Sequence, residues 1–307
     1  MRVAVVGLGK MGSALARRLL AQGVEVAVWN RSAAPVDALA AKGATRVDAL
    51  GEVFEHAPVV LSFLADDAAV RGVLLGDSGL LAAAGRAPDA ARVLVEMSTI
   101  SPQLSATLAA AADATRVGYL RCPVSGNPVV LEAGNLTLIA SGPGEVFAAV
   151  EPLLNLIGPT VVHIGEAEQA RTMKLAVNGL LAATADALAE AVLLCEAAGI
   201  ERGTALDVIA RSAAGSPFVA YKRAAFVERA WEATFTLAMA GKDLALLRAA
   251  ADDAGVVMPV ARLAAELVDE GVAEGLGDLD FAAVFVHLQA LAGRPTDVSL
   301  GPPGAGR

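Results

Sequence analysis

The sequence predicts an α/β chain: a parallel sheet covered by helices on both faces, followed by an all-helical half. Three observations carry this. Short β-branched runs alternate with amphipathic segments through the first half. A glycine triplet stands where the first run meets the first helix. From about Glu168 onward the apolar spacing is helical and no strand-like run of useful length follows.

The strands come first. Val3–Val6, Val24–Trp29, Val59–Phe63 and Val93–Glu96 are apolar runs bounded by Gly, Asn, Asp or Ser. Between the first two, Met11, Leu15 and Leu19 recur at spacing four, which gives a helix one apolar face. Weaker strands are expected at Gly118–Leu120, Leu136–Ala140 and Val161–Ile164. The segment Glu168–Ala198 reads as one long helix closed by Gly199. Shorter helices are expected over Thr204–Ser212, Pro217–Arg229, Leu237–Ala254, Pro259–Ala273 and Phe281–Leu291. The expected organisation is therefore an α/β domain over 1–164, an all-helical domain over 165–293 and a Gly/Pro-rich flexible tail over 294–307.

Composition narrows the class. Of 307 residues, 55% are hydrophobic and 19% charged, enough apolar surface for real cores and against disorder. The longest apolar stretch, Leu175–Ala198, is interrupted by Asn178, Asp186, Glu190 and Glu196, so it reads as a helix buried in protein and no membrane span is expected. The run Val3–Leu8 is too short for a secretory signal and is soon followed by Lys10. Two distant cysteines, Cys122 and Cys195, offer neither a disulfide framework nor metal spacing, so no metal and a reducing, cytoplasmic setting are expected. A net charge of −9 argues against a nucleic-acid partner, though not against a local basic pocket.

Gly7, Gly9 and Gly12 form G-x-G-x-x-G between a strand and a helix, the context that makes the triplet a Rossmann-type dinucleotide motif. Gly7 permits the tight turn, Gly9 lets backbone N–H groups reach a pyrophosphate, and Gly12 lets helix and sheet approach. Leu8, Lys10 and Met11 complete the loop. The second strand ends in Asn30, Arg31 and Ser32. An NAD site usually carries Asp or Glu here, whereas an amide, a guanidinium and a hydroxyl suit a 2′-phosphate, so NADP (NADPH) is the expected cofactor. The alternative for Arg31 is a solvated surface arginine. Leu64 and Ala65, and Thr99, follow later strands and should line the same crevice. Thr99 could instead belong to a helix cap formed by Ser98, Thr99 or Ser101.

Four segments, VGLGKMG at the N-terminus, CPVSGNPVVLEAGNL at 122–136, MKLAVNGL at 173–180 and GKDLALL at 241–247, resemble in sequence and order the β-hydroxyacid dehydrogenase family, which includes 3-hydroxyisobutyrate dehydrogenases. A fifth, EGLGDLDFAAVF at 274–285, resembles its glyoxylate/succinic-semialdehyde reductase branch. The resemblance implies that Lys174 is the general acid in reduction and the base in oxidation, oriented by Asn178. Their spacing of four places both on one helix face. A lysine buried on an apolar helix has its charged form disfavoured, which suits proton transfer near neutral pH; the alternative is a side chain that snorkels to solvent. The resemblance also implies that Ser125, Gly126 and Asn127 hold a substrate carboxylate. It places Lys242 near the nicotinamide and substrate, and Phe235 and Asp243 at the substrate pocket. Taken alone, Ser125–Asn127 could be a plain turn and Lys242–Asp243 a surface ion pair.

The sequence departs from the family pattern at Arg121, where an acid or small residue is usual, at Asn127, and at Glu168 and Ala170, where glycines are common. Arg121 could point into the pocket and recruit a second anionic group, or point away from it. The expected function is NADPH-dependent reduction of a small aldehyde or keto acid bearing a carboxylate, by a homodimer or homotetramer. Two rivals are an imine reductase and a non-catalytic NADP-binding scaffold. Both typically lack a lysine at the position of Lys174.

Overall fold

The computed structural model describes residues 2–84 and 91–298. Internal contacts divide the chain into two units, Met1–Lys174 and Leu175–Arg307. The boundary falls inside one continuous helix, Gln169–Ala197, so the division is one of packing and not of backbone.

In the first unit, β1 (Arg2–Val6), β2 (Glu25–Trp29), β3 (Thr45–Arg46), β4 (Val59–Ser62), β5 (Arg92–Glu96) and β6 (Val117–Arg121) form one sheet in the order β3-β2-β1-β4-β5-β6. Every pairing in it is parallel. The strand order reverses between β1 and β4, and a crevice at their carboxyl ends is where such sheets take ligands. Alternation along the strands explains the two covering layers. Val3 and Val5 enter one core with Leu15 and Leu19 of the helix Lys10–Ala21, whereas Ala4 and Val6 enter another with Leu104 and Leu108 of the helix Pro102–Ala114.

Two strands escaped the sequence reading. β3 has two residues, and β7 (Val124–Ser125) lies within a Pro–Ser–Gly segment that reads as a turn. β7 pairs antiparallel with β8 (Thr137–Ala140), which pairs parallel with β9 (Thr160–His163), making a second sheet. The antiparallel bridge Arg121–Ser141 joins the end of β6 to the end of β8.

The second unit is helical. The long helix turns Ala182, Ala185, Ala189 and Val192 inward, and Phe226, Trp231 and Phe285 pack at centroid separations of 5.1–6.2 Å. The helices expected over Pro259–Ala273 and Phe281–Leu291 are both interrupted. The first gives way after Gly271 to a wider turn over Val272–Leu276, and the second opens as a tight turn at Phe281–Ala283 before Val284–Leu291. The segment after Gly293, read as a flexible tail, is held as far as Asp297. Its carboxylate accepts from Arg202 Nη1 at 2.6 Å, and its N–H donates to Gln289 Oε1 at 2.9 Å. Residues 299–307 of that tail lie outside the described residues. No helix among the described residues is long and apolar enough to cross a membrane.

Candidate active site

The glycine loop is built by close approach. Gly7 has φ +90°, and a methyl placed on it would fall 2.2 Å from the Phe63 carbonyl oxygen after β4. A methyl on Gly12 would fall 1.8 Å from the Gly7 carbonyl oxygen. Above Gly9 there is open space. The helix begins at Lys10 with no side-chain cap and no acidic residue in its first turn. Backbone donors facing open space at a helix start, with no carboxylate to repel an anion, fit a pyrophosphate. Leu8 N–H donates to Asn30 Oδ1 at 3.0 Å, and Asn30 Nδ2 donates to Ser32 Oγ at 2.8 Å. The Asn30 amide therefore fastens the end of β2 to the glycine loop, a role the sequence did not reveal. Leu8 is buried, Met11 half-buried, and Lys10, Arg31 and Ser32 are exposed.

The ends of β4 and β5 are also tied together. Leu64 N–H donates to Ser98 Oγ at 2.8 Å. Ser101 caps the following helix through Leu104 N–H at 3.1 Å, so the capping role lies with Ser101 and not with Thr99. Leu64 and Thr99 are half-buried and Ala65 is exposed. Beneath them lies a group absent from the sequence reading: Arg171, on the long helix, forms an ion pair with Glu96 at the end of β5, and both side chains are buried. A lone arginine on a helix and a carboxylate ending a strand carry no pairing signal until the fold is known.

Ser125 ends β7 opposite Thr137 and is half-buried, and Gly126 is exposed. Asn127 caps the helix Pro128–Glu132, its Oδ1 accepting from Val130 N–H at 3.0 Å. The open question of Arg121 has a clear outcome. Its guanidinium, 6% exposed, is held by Glu168, with Nε donating to Oε1 at 2.9 Å, and lies over the Tyr119 ring at 4.7 Å. Two departures from the family pattern thus neutralise each other. Neighbouring Cys122 is pushed up to about 12 by burial, which leaves it an inert thiol.

Lys174 and Asn178 are both half-buried on the long helix. In the second unit Asn178 Nδ2 donates to Asp243 Oδ2 at 2.5 Å, while Lys242 Nζ pairs with Asp243 Oδ1 at 2.7 Å. Asp243 is buried, so this is not a surface ion pair. Gly179 lies against Leu247 of the helix Leu237–Asp253, where an added methyl would fall 2.3 Å from Leu247 Cδ2 and the leucine tip would have to move. Phe235 packs edge-on against Phe281 at 5.5 Å. Phe281 is in turn covered by the buried Lys222, whose Nζ donates to Asp280 Oδ1 at 2.5 Å. Among the described residues no group of three or more His, Cys, Asp or Glu side chains is placed to hold a metal ion.

Comparison with known proteins decides the family. The NAD binding domain of 6-phosphogluconate dehydrogenase matches residues 2–165, and the family described as NAD-binding of NADP-dependent 3-hydroxyisobutyrate dehydrogenase matches residues 169–288. The chain belongs to the β-hydroxyacid dehydrogenase family. Within that family it is 35% identical to the uncharacterized oxidoreductase YfjR of Bacillus subtilis (strain 168), over 92% of this chain and 98% of that one. It is 30% identical to glyoxylate/succinic semialdehyde reductase 1 of Arabidopsis thaliana, over 92% and 97%. Among solved structures, Psf3 in complex with NADP+ and 2-OPP superposes with a TM-score of 0.85 at 28% identity, covering 93% of this chain and 99% of that one. An imine reductase from Pseudomonas sp. superposes with a TM-score of 0.61 at 21% identity over 92% and 98%, which shows a shared fold alone. As a member of the β-hydroxyacid dehydrogenase family the protein is a nicotinamide-dependent oxidoreductase acting on hydroxyl groups.

Proposed function

We propose that the protein is an NADPH-dependent reductase, reversible in principle, of a small aldehyde or keto acid carrying a carboxylate. The observation that carries this is the pair Lys174 and Asn178 on one helix, with the Asn178 amide anchored by buried Asp243. NADPH supplies the hydride; the protein supplies alignment and a proton. Lys174 Nζ donates its proton to the carbonyl oxygen as the carbon is reduced, giving the hydroxy acid, and takes it back in the oxidative direction. Asn178 and Thr99 orient the substrate. The family resemblance offers Ser125, Gly126 and Asn127 for its carboxylate, and Phe235, Asp243 and Lys242 as further residues for substrate and nicotinamide.

The residues proposed for the cofactor are the loop Gly7–Gly12, the strand-end residues Leu64, Ala65 and Thr99, and the Asn30–Ser32 segment. Asn30 is committed to Leu8 and Ser32, so the 2′-phosphate falls chiefly to Arg31, which is exposed at the end of β2. Replacing Arg31 by Ala should raise the NADPH KM by about tenfold or more, within the 1.5–3 kcal/mol of a hydrogen bond to a charged group, and leave NADH nearly unchanged. Equal effects on both cofactors would remove the phosphate assignment.

The reaction itself is tested by NADPH oxidation against semialdehydes, 2-keto acids and cyclic imines. The reading expects turnover of the carboxylate-bearing carbonyl compounds. Turnover confined to imines would replace it with imine reduction, and tight NADPH binding with no turnover of any of them would leave a scaffold.

A further inference from the structure

We infer that Arg171 and Glu96 are positioning residues. Together they lock the strand-end loops after β4 and β5 to the first turn of the helix that carries Lys174. The inference deepens the proposed function and rests on its assignment of those loops to the cofactor.

Among the described residues of the first unit the pair is the most enclosed ion pair, with Arg171 1% and Glu96 0% exposed. Arg171 Nη2 meets Glu96 Oε2 and also donates to the Tyr119 hydroxyl at 3.2 Å, while Nε donates to Ser105 Oγ at 3.2 Å. Burial alone would lower the guanidinium pKa, but Glu96 and Tyr119 more than offset it, and the group stays charged. A buried ion pair is often no more stabilising than apolar side chains of the same volume; what this one adds is direction.

That direction converges on Ser98. Glu96 Oε1 accepts from Ser98 N–H at 2.9 Å, and Arg171 Nη1 donates to the Ser98 carbonyl at 2.7 Å. The peptide groups on both sides of Ser98 are therefore gripped by one salt bridge. The Ser98 hydroxyl passes the constraint on by accepting from Leu64 N–H. Thr99 is the next residue in the chain. Lys174 is three residues after Arg171 on the same helix, one turn further along. One buried pair thus sets the loops at residues 64 and 98–99 and the root of the lysine-bearing helix from a single point.

Three changes test this. Arg171→Lys keeps a cation for Glu96 but lacks the planar fork that holds Ser98 at the same time. The double change Arg171→Met with Glu96→Leu removes both charges and fills the space. Ser98→Ala removes only the link to Leu64. Melting temperature, NADPH Kd by fluorescence titration, kcat and substrate KM are measured for each. The double variant leaves the buried Ser98 N–H and carbonyl without these partners, so it should melt several degrees below the parent while staying folded at the assay temperature. It and the lysine variant should bind NADPH about tenfold more weakly and lose at least about tenfold in kcat at saturating cofactor, short of the ~10²-fold that a 1 Å misplacement can cost. Substrate KM should change by less than about threefold, and Ser98→Ala should show the Kd effect in smaller form. A folded double variant with parental Kd and kcat would reduce the pair to core filling and overturn the inference. If neither pair variant folds, an unchanged Kd in Ser98→Ala overturns it instead. NADPH affinity is read without turnover, so the result is separable from the role of Lys174: a Lys174→Ala enzyme that still turns over would end the proton-donor assignment and leave the Kd comparison standing.

Discussion

Lys174→Ala should lower kcat by at least ~10²-fold, the range for removing a general acid, with NADPH Kd unchanged. Two features make the expectation sharp. Lys174 is half-buried near the start of a 29-residue helix, so trimming it to Ala opens no large core cavity and adds a strong helix former. It also lies outside the glycine loop and the Asn30–Ser32 segment, so affinity for the dinucleotide should be spared. Asn178→Ala should give a smaller loss, because the proposed role of the amide is to orient and not to transfer the proton. It also removes one partner of buried Asp243 and leaves its ion pair with Lys242. Parental turnover in the Lys174 variant would mean that the proton comes from another group.

The fold was legible because its signals are local. Strand-forming runs, the glycine triplet at a strand–helix junction and the helical spacing after Glu168 each report on their own segment, and β1, β2, β4 and β5 lie within one residue of the expected bounds. The short strands β3 and β7 were missed because two residues carry no periodicity. The motif residues offered for the site come from short local segments and from the family resemblance those segments carry. Their supports were not legible, because each depends on partners far apart in sequence: Arg171 on Glu96, Arg121 on Glu168, Lys222 on Asp280. Arg121 shows what this costs. Read alone it is a candidate anion receptor; beside Glu168 it is a neutralised structural pair.

In the helical unit burial works strongly against the Asp186 carboxyl and makes stability depend on pH. Asp186, on the long helix, is 8% exposed and its Oδ2 has no hydrogen-bond partner among the described residues. Burial, with Glu190 one turn away adding like charge, pushes its pKa up to about 7 from 3.8, while His287 opposes the shift. His287, from the last helix, is itself occupied, with Nδ1 at 2.8 Å from Glu274 Oε2 and Nε2 at 3.0 Å from Glu270 Oε2. Between about pH 4 and 7 the folded chain therefore binds a proton that the unfolded chain has released, so the free energy of unfolding falls as pH rises through that window. The ceiling on the loss is ~4 kcal/mol for a shift of this size. Asp186→Asn keeps the shape and discards the charge. It should melt at about the parental temperature near pH 4 or below and several degrees higher at pH 8, since each 1 kcal/mol moves a transition of this size by roughly 2–8 °C. Melting curves across that range check both ends. A variant that is no more stable than its parent at pH 8, or that differs from it equally at every pH, would show that the Asp186 charge is compensated where it stands.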